Sequence, residues 1–327
     1  MHPDHDGTYG PRDPDACGRM LETSVMTPTR SSQPVGAERL IEVLDPTEDF
    51  NFRHFRMRHM IAELLRTGLP PGSRAPDFEL SSTDGAVIRL ADLRGQPMLL
   101  HFVSYTCPVT RGGVSTMREL HRLYGERVRF VEVLARQAHP GERHGAYRSL
   151  EGKMEEARDY GLEDRVPWLV ATDDLEGTTQ RAYGGVAAGI YLIDSLGTVA
   201  FCGTWGQGPE LRRAIDDLLA CGGEGAPVGK GTDRRPHLAA AIVAGQSGPL
   251  RGGRRALIDL ELGFPGANML MGAGRIARPL LAPLALRTTP LPAATRIALL
   301  AVPCGVGAAI GLAVRRRRRD ADIPIGG

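Results

Sequence analysis

Short apolar runs alternate with longer amphipathic segments through the middle of the chain, from residue 75 to residue 220. This alternation constrains the fold most, because short apolar runs between turn residues are typical of buried strands and longer amphipathic runs of helices. The predicted strands are 78–80, 87–90, 98–103, 128–134, 169–172, 190–193 and 199–202. The predicted helices are 110–124, 150–160, 175–183 and 209–220. This order predicts an α/β fold with a central mixed sheet flanked by helices.

The flanks of this region differ from it in composition. Residues 1–46 are rich in Pro, Asp, Ser and Thr and predict a disordered leader without a signal-peptide core. A helical apolar pattern over 47–66 opens the domain, which extends to residue 221. Residues 222–296, rich in Gly, Pro and Arg, predict a linker. Residues 297–319 combine 18 uncharged residues with five arginines and predict a transmembrane or membrane-associated helix.

Charge is distributed unevenly along the chain. Residues 222–327 contain 15 basic and 6 acidic residues, a net charge of +9, whereas the preceding residues contain 25 basic and 32 acidic, a net charge of −7. This argues against a nucleic-acid partner for the folded part, since such domains present a basic face. A positive tail suits an anionic membrane surface. The expected location is therefore cytoplasmic, with membrane association through the tail.

Cys107 is the candidate nucleophile. It lies where an apolar strand ends and a helix begins, and Pro108 suits the first helical turn. A thiol at a helix N-terminus faces free backbone N–H groups, which favour its thiolate. Ser104 and Thr106 could donate hydroxyl hydrogen bonds to that thiolate. The alternative is a buried structural cysteine in a strand-to-helix turn.

The other cysteines are weaker candidates. Position 110, three after Cys107, holds a threonine, so a C-x-x-C disulfide cannot form. A resolving cysteine would have to be Cys202 or Cys221, unless an external thiol reduces the oxidised Cys107. Cys202 lies in an apolar strand, where a buried packing role is the common one. Five cysteines in 327 residues exclude a disulfide-rich scaffold.

His139 is the candidate partner of Cys107. It follows the strand predicted at 128–134, so it and Cys107 are expected at the carboxyl ends of neighbouring parallel strands. These ends line the binding crevice of an open α/β sheet. A histidine there can deliver a proton or pair with a thiolate. The alternative is a solvent-exposed loop histidine.

Several segments resemble known proteins. Residues 71–80, Pro-Gly-Ser-Arg-Ala-Pro-Asp-Phe-Glu-Leu, are similar to the start of a redoxin domain of the thioredoxin superfamily. Residues 104–108, Ser-Tyr-Thr-Cys-Pro, and 138–140, Ala-His-Pro, resemble the iodothyronine deiodinases and their bacterial relatives. Those enzymes have a selenocysteine and a histidine at the corresponding places. The resemblance covers about residues 47–220.

The resemblance implies a thioredoxin-like fold with Cys107 as nucleophile and His139 as catalytic histidine. The chain departs from the family in having cysteine for selenocysteine, and Ala187 or Ala188 where a proline is expected. Peroxiredoxins are a near relative. Ser104 matches their hydroxyl three residues before the cysteine, whereas Leu100 stands where they have proline.

These observations predict a thiol-dependent oxidoreductase with one nucleophilic cysteine. Its substrate is a small soft electrophile, namely a halogenated aromatic, a peroxide or a disulfide. Its reductant is a thioredoxin-like protein or a small thiol. No cofactor is expected, and no His, Cys, Asp or Glu cluster has the spacing of metal ligands. The alternatives are a one-cysteine peroxidase of the peroxiredoxin type, a non-catalytic membrane-tethered module and a redox sensor.

Overall fold

The computed structural model describes residues 36–204, 208–225, 229–231 and 235–290. Its strands are β1 Glu79–Ser82, β2 Val87–Arg89, β3 Met98–Val103, β4 Arg129–Leu134, β5 Leu169–Thr172, β6 Gly189–Ile193, β7 Val199–Thr204 and β8 Gly229–Gly231. Its helices are α1 Ala37–Leu44, α2 Met57–Leu65, α3 Pro108–Tyr124, α4 Leu150–Glu163, α5 Thr178–Ala182, α6 Gly208–Ala220, α7 Arg235–Ala244, α8 Ser247–Gly252, α9 Arg254–Gly263, α10 Ala267–Ile276 and α11 Arg278–Ala285.

The strands form one mixed sheet in the order β2-β1-β5-β4-β3-β6-β7-β8. Strands β3, β4 and β5 are parallel neighbours, and β6 and β7 continue the sheet antiparallel to β3. Two buried apolar clusters lie against the sheet, one of which includes residues of α3 and α6. The predicted α/β class and thioredoxin-like fold are confirmed.

The β3–α3–β4 unit positions the candidate site. Every residue of β3 is buried, as expected for a central strand covered on both faces. Helix α3 buries Val114, Met117 and Leu120 on one face, at the three- and four-residue spacing of an amphipathic helix. Pro108 is its first residue, where a missing N–H leaves no hydrogen bond unmade.

The prediction for the N-terminal flank is wrong in two places. Helix α1 lies within residues 1–46, which were expected to be disordered, and the helix expected over 47–66 forms only from Met57 to Leu65. The reason is tertiary. Asp45, directly after α1, is buried and accepts hydrogen bonds from Arg136 at 2.9 Å and from Arg66 at 2.6 Å. These distant partners tie the segment to the domain, and local composition does not reveal them.

The prediction of a linker over 222–296 is wrong for the residues that form α7–α11. We call residues 235–276, which contain α7–α10, the cap. Its small residues allow close packing on the thioredoxin-like core: a Cβ built on Gly112 of α3 would lie 2.7 Å from the backbone of Ala240. A stretch rich in glycine and alanine therefore forms packed helices because its backbone can approach a neighbouring helix closely.

The segment predicted to enter a membrane, 297–319, lies outside the described residues. Within the part of the chain that the structure describes, no helix combines the length and the apolar composition that a membrane crossing needs.

Candidate active site

Cys107 and His139 line the same cavity. Cys107 is the residue directly before α3, reached from β3 by a short turn. His139 follows β4, which pairs in parallel with β3 in a register that sets Val103 beside Leu134. Both side chains therefore come to the carboxyl edge of the sheet and contribute to one cavity of about 130 Å³.

Residues of both the thioredoxin-like core and the cap form the walls of the cavity. The core contributes Phe52, Phe55, Met60, Val103, Val109 and Ala135. The cap contributes Leu238, Ala241, Ile242, Leu260, Phe264, Ala267 and Met271. Leu238 and Phe264 are 42% and 39% exposed, so they mark where the cavity meets the surface. The site is thus largely apolar and sheltered from water.

Burial dominates the ionisation of Cys107, which is only 7% exposed. Burial raises the pKa of the thiol, and the carboxylate of Glu63 adds to the rise. Hydrogen bonds from the hydroxyl of Thr110 and the backbone N–H groups of Thr110 and Val109 lower the pKa, but less. The expectation of an acidic thiolate is therefore wrong for this site: the helix N-terminus favours the anion, and the apolar surroundings disfavour it more.

His139 is buried as a neutral imidazole. Burial lowers the pKa of His139 to about 3, because the cavity cannot solvate an imidazolium. Its ring lies 4.4 Å from the ring of Phe55, and its Nδ1 has no hydrogen-bond partner among the described residues. An imidazolium is therefore unfavourable at neutral pH, which argues against delivery of a proton from a charged ring. The neutral ring can still accept or donate one hydrogen bond through its free nitrogen.

Ser104 and Thr106 hold the loop that carries His139. The hydroxyl of Ser104 accepts a hydrogen bond from the N–H of Ala138 at 2.8 Å, and that of Thr106 accepts from the N–H of His139 at 3.0 Å. Thr106 also donates to the side-chain amide of Gln137 at 2.8 Å. The prediction that these hydroxyls contact the thiolate is not what the structure shows. They position the histidine, and the hydroxyl beside the sulfur is that of Thr110.

Neither predicted resolving cysteine reaches the cavity. Cys202 is buried in the core cluster on β7, its Sγ 3.6 Å from the carbonyl of Thr67, and burial raises the pKa of its thiol to about 11. Cys221 follows α6, two residues before Gly223, which packs against Pro97 at the amino end of β3. The length of β3 alone, about 17 Å, separates that end from the Cys107 turn.

A charged group behind the cavity escaped prediction. Glu63 lines the cavity and accepts a hydrogen bond from buried Arg136 at 2.9 Å. Its second oxygen accepts from the N–H of Ala187 at 2.7 Å, a bond that a proline at this position could not make. Arg136 also binds Asp45. The one sequence signal was an arginine two residues after a buried strand, where a charge needs a partner.

His59 is a second imidazole that sequence analysis missed. It lines the cavity, is 1% exposed and stacks on Phe52 at a centroid distance of 4.0 Å. Burial lowers the pKa of His59 to about 4, so this ring is also neutral at pH 7. Its Nδ1 accepts from the N–H of Arg56, whereas its Nε2 has no hydrogen-bond partner in the described part of the chain.

Part of this chain is similar to proteins of known families. Residues 71–202 match the model of the AhpC/TSA family, in agreement with the thioredoxin-like fold of this part of the chain. A curated relative, the thiol-disulfide oxidoreductase ResA of Geobacillus thermodenitrificans, is 37% identical over 70 residues. That match covers 21% of this chain and 39% of the relative.

Two solved structures illustrate the range of similar proteins. The thioredoxin domain of a thiol-disulfide oxidoreductase from Bacteroides vulgatus is 18% identical, with a TM-score of 0.38, covering 46% of this chain and 99% of that one. A thiol:disulfide interchange protein of the thioredoxin family from Chlorobium tepidum is 17% identical, with a TM-score of 0.35, covering 46% and 98%.

Proposed function

We propose that the protein is a thiol-dependent oxidoreductase that works through one cysteine. The observation that carries this proposal is the position of Cys107: its sulfur lies at the start of α3 and lines a cavity that no other described cysteine lines. The family match and the oxidoreductase named as its relative support this chemistry. Without a neighbouring thiol, the oxidised sulfur has to be released by an external thiol.

The reaction we propose is a thiol–disulfide exchange in which Cys107 reacts as its thiolate, formed as the attack takes place. The sulfur of Cys107 bonds to one sulfur of a disulfide, whose S–S bond breaks, and the proton of Cys107 goes to the departing sulfur. An external thiol then attacks the mixed disulfide, leaves as the new disulfide and returns a proton to Cys107. Transfer of the proton during the exchange suits an apolar cavity, where a lasting pair of thiolate and imidazolium would be unfavourable. His139, held by Thr106, hydrogen-bonds the proton as it moves.

The experiment measures turnover of the full-length protein with a small aromatic disulfide, an alkyl peroxide and an iodinated phenol, with a small thiol as reductant. Cys107→Ser should lose roughly 1,000-fold or more in rate, since it removes the nucleophile. His139→Ala should slow the reaction. Cys202→Ser is the matched control, because this sulfur is buried outside the cavity and its loss should leave the rate unchanged. Full activity in Cys107→Ser would overturn the proposal.

The same three substrates distinguish a deiodinase-like activity from a peroxiredoxin-like activity. Turnover confined to the iodinated phenol supports the first, and turnover confined to the peroxide supports the second. In the peroxide reaction, sulfur bonds to the outer oxygen, the O–O bond breaks, and the thiol proton leaves with the alcohol. We also propose a cytoplasmic location with membrane association through residues 297–319.

A further inference from the structure

We propose that the cavity beside Cys107 is a binding site for a small, uncharged, ring-sized molecule that carries one hydrogen-bonding group, and that the cap makes the site selective for such molecules. The proposal builds on the proposed function only in treating this molecule as the substrate. The binding itself does not depend on redox chemistry.

Size and lining set the class of ligand. A cavity of about 130 Å³ is close to the ~150 Å³ at which an apolar cavity in a protein holds one benzene molecule. Its walls include the rings of Phe52 and Phe55 and the side chains of Leu260 and Met271. A ligand of this size that fills the space removes apolar surface from water on both sides.

Two buried imidazoles supply the polar contact. His139 is 5% exposed and His59 is 1% exposed, and both line the cavity. Nδ1 of His139 has no hydrogen-bond partner among the described residues, whereas Nε2 of His59 lies 3.7 Å from the carboxylate of Asp49. A buried polar atom without a partner is costly, so a ligand hydroxyl or carbonyl that meets one of them gains free energy. Burial keeps both rings neutral, and the Arg136 guanidinium at the cavity wall is already paired with two carboxylates, so a charged ligand finds no unpaired opposite charge there.

The cap lies directly on the turns that carry the site, so a folded protein has no approach to the sulfur. A Cβ built on Gly248 would lie 2.7 Å from the carbonyl carbon and oxygen of Cys107. A Cβ built on Gly252 would lie 2.6 Å from the carbonyl oxygen of His139. At these distances no other chain fits between the cap and the two loops.

Charged contacts attach the cap at two places. The guanidinium of Arg251 lies 4.0 Å from the ring of Tyr105 and forms ion pairs at 2.7 Å with Asp164 and Glu163. The carboxylate of Glu142 accepts hydrogen bonds from the first backbone N–H groups of α9, where the helix dipole favours a negative charge. The cap is therefore a fixed wall of the cavity in this structure.

The experiment measures binding of phenol, toluene and benzoate to the full-length Cys107→Ser protein by calorimetry. This variant cannot undergo exchange at position 107, so a failed turnover assay leaves the binding result intact. Phenol should bind at least ~10-fold tighter than toluene, because it adds one hydrogen bond in a buried site. Benzoate, with the same ring and a charge, should bind at least ~100-fold more weakly than phenol.

Two alanines on α10 provide a matched pair. Ala267 lines the cavity, whereas Ala273 is exposed on the same helix. Ala267→Leu should fill part of the cavity and weaken phenol binding at least ~10-fold, and Ala273→Leu should leave it within ~2-fold. Should Ala267→Leu not fold, protection of wild-type Cys107 from iodoacetamide by phenol, and not by benzoate, tests the same point.

Three results would overturn the proposal: no phenol binding, equal binding of phenol and benzoate, or equal losses in the two leucine variants. Reduction of a protein disulfide at the same rate as a small aromatic disulfide would overturn the role of the cap, since the sulfur would then be open to large partners.

Discussion

His139 makes a prediction that can be worked out in free energy. Burial lowers the pKa of this ring to about 3 in the folded protein, whereas an unfolded chain has an ordinary histidine pKa of about 6.5. Between these values the unfolded state binds one more proton than the folded state, so stability falls as pH falls. From pH 7.5 to pH 5, His139 alone should remove about 2 kcal/mol from the free energy of unfolding.

The test compares wild type with His139→Gln by urea unfolding at several pH values. The variant does not titrate at this position, so wild type should lose about 2 kcal/mol more than the variant between pH 7.5 and pH 5. Between pH 7.5 and pH 8.5 both states carry a neutral ring, and the difference in stability should stay constant. His59, which burial also keeps neutral, is present in both proteins and cancels.

A direct readout is the histidine ring resonance in NMR. The signal missing from His139→Gln should not titrate in wild type between pH 8 and pH 5. A midpoint near 6.5, together with parallel stability curves for the two proteins, would refute the argument that the cavity excludes charge from His139.

Three further predictions concern the surroundings of the site. Thr110→Val removes a hydroxyl that favours the thiolate, so the pKa of Cys107 should rise and its alkylation at pH 8 should slow by roughly 10-fold; an unchanged pH profile would contradict this. Arg136→Met removes the buried partner that Asp45 and Glu63 share and leaves them only Arg66, so it should cost about 3 kcal/mol in urea unfolding, whereas a loss below ~1 kcal/mol would mean that the buried pairs do not form in solution. Gly248→Ala places a methyl group against the backbone of Cys107, so Tm should fall and alkylation of Cys107 should accelerate. Gly272→Ala is the control, since the nearest atom would lie 3.8 Å away, and it should leave both measurements unchanged.

The strands and helices of the core were predictable because their signal is local. A fully buried strand such as β3 has an uninterrupted apolar run, and α3 carries its apolar residues at helical spacing. The meeting of Cys107 and His139 also followed from the sequence, because consecutive parallel strands bring the loops after them to one edge of the sheet.

The cap was not predictable from the same kind of signal. Its residues read as a linker because glycine, proline and arginine predominate between residues 222 and 296. Its helices owe their place to contacts with elements far away in sequence, such as the pair of Gly112 with Ala240 and that of Arg251 with Asp164. The stability of a helix in a protein comes mainly from packing, which composition does not report.

The roles of the hydroxyl groups depended on tertiary structure in the same way. Ser104 and Thr106 stand near Cys107 in sequence, but their oxygens accept hydrogen bonds from the N–H groups of Ala138 and His139 on the next loop. The sheet brings these backbone N–H groups close to Ser104 and Thr106, so these two hydroxyls bind the loop. The hydroxyl that hydrogen-bonds the Cys107 sulfur is that of Thr110.

The amino-acid sequence by itself determined the thioredoxin-like core, the position of Cys107 before a helix and the position of His139 after the next strand. Tertiary structure alone decided the ionisation of that cysteine and the shape of the space in front of it. The effect of a helix N-terminus comes from the next few residues and can be read locally. Desolvation depends on all the residues packed around the sulfur, including those of a cap that begins more than a hundred residues later in the chain. In this site, desolvation raises the pKa of Cys107 by more than the helix N-terminus lowers it.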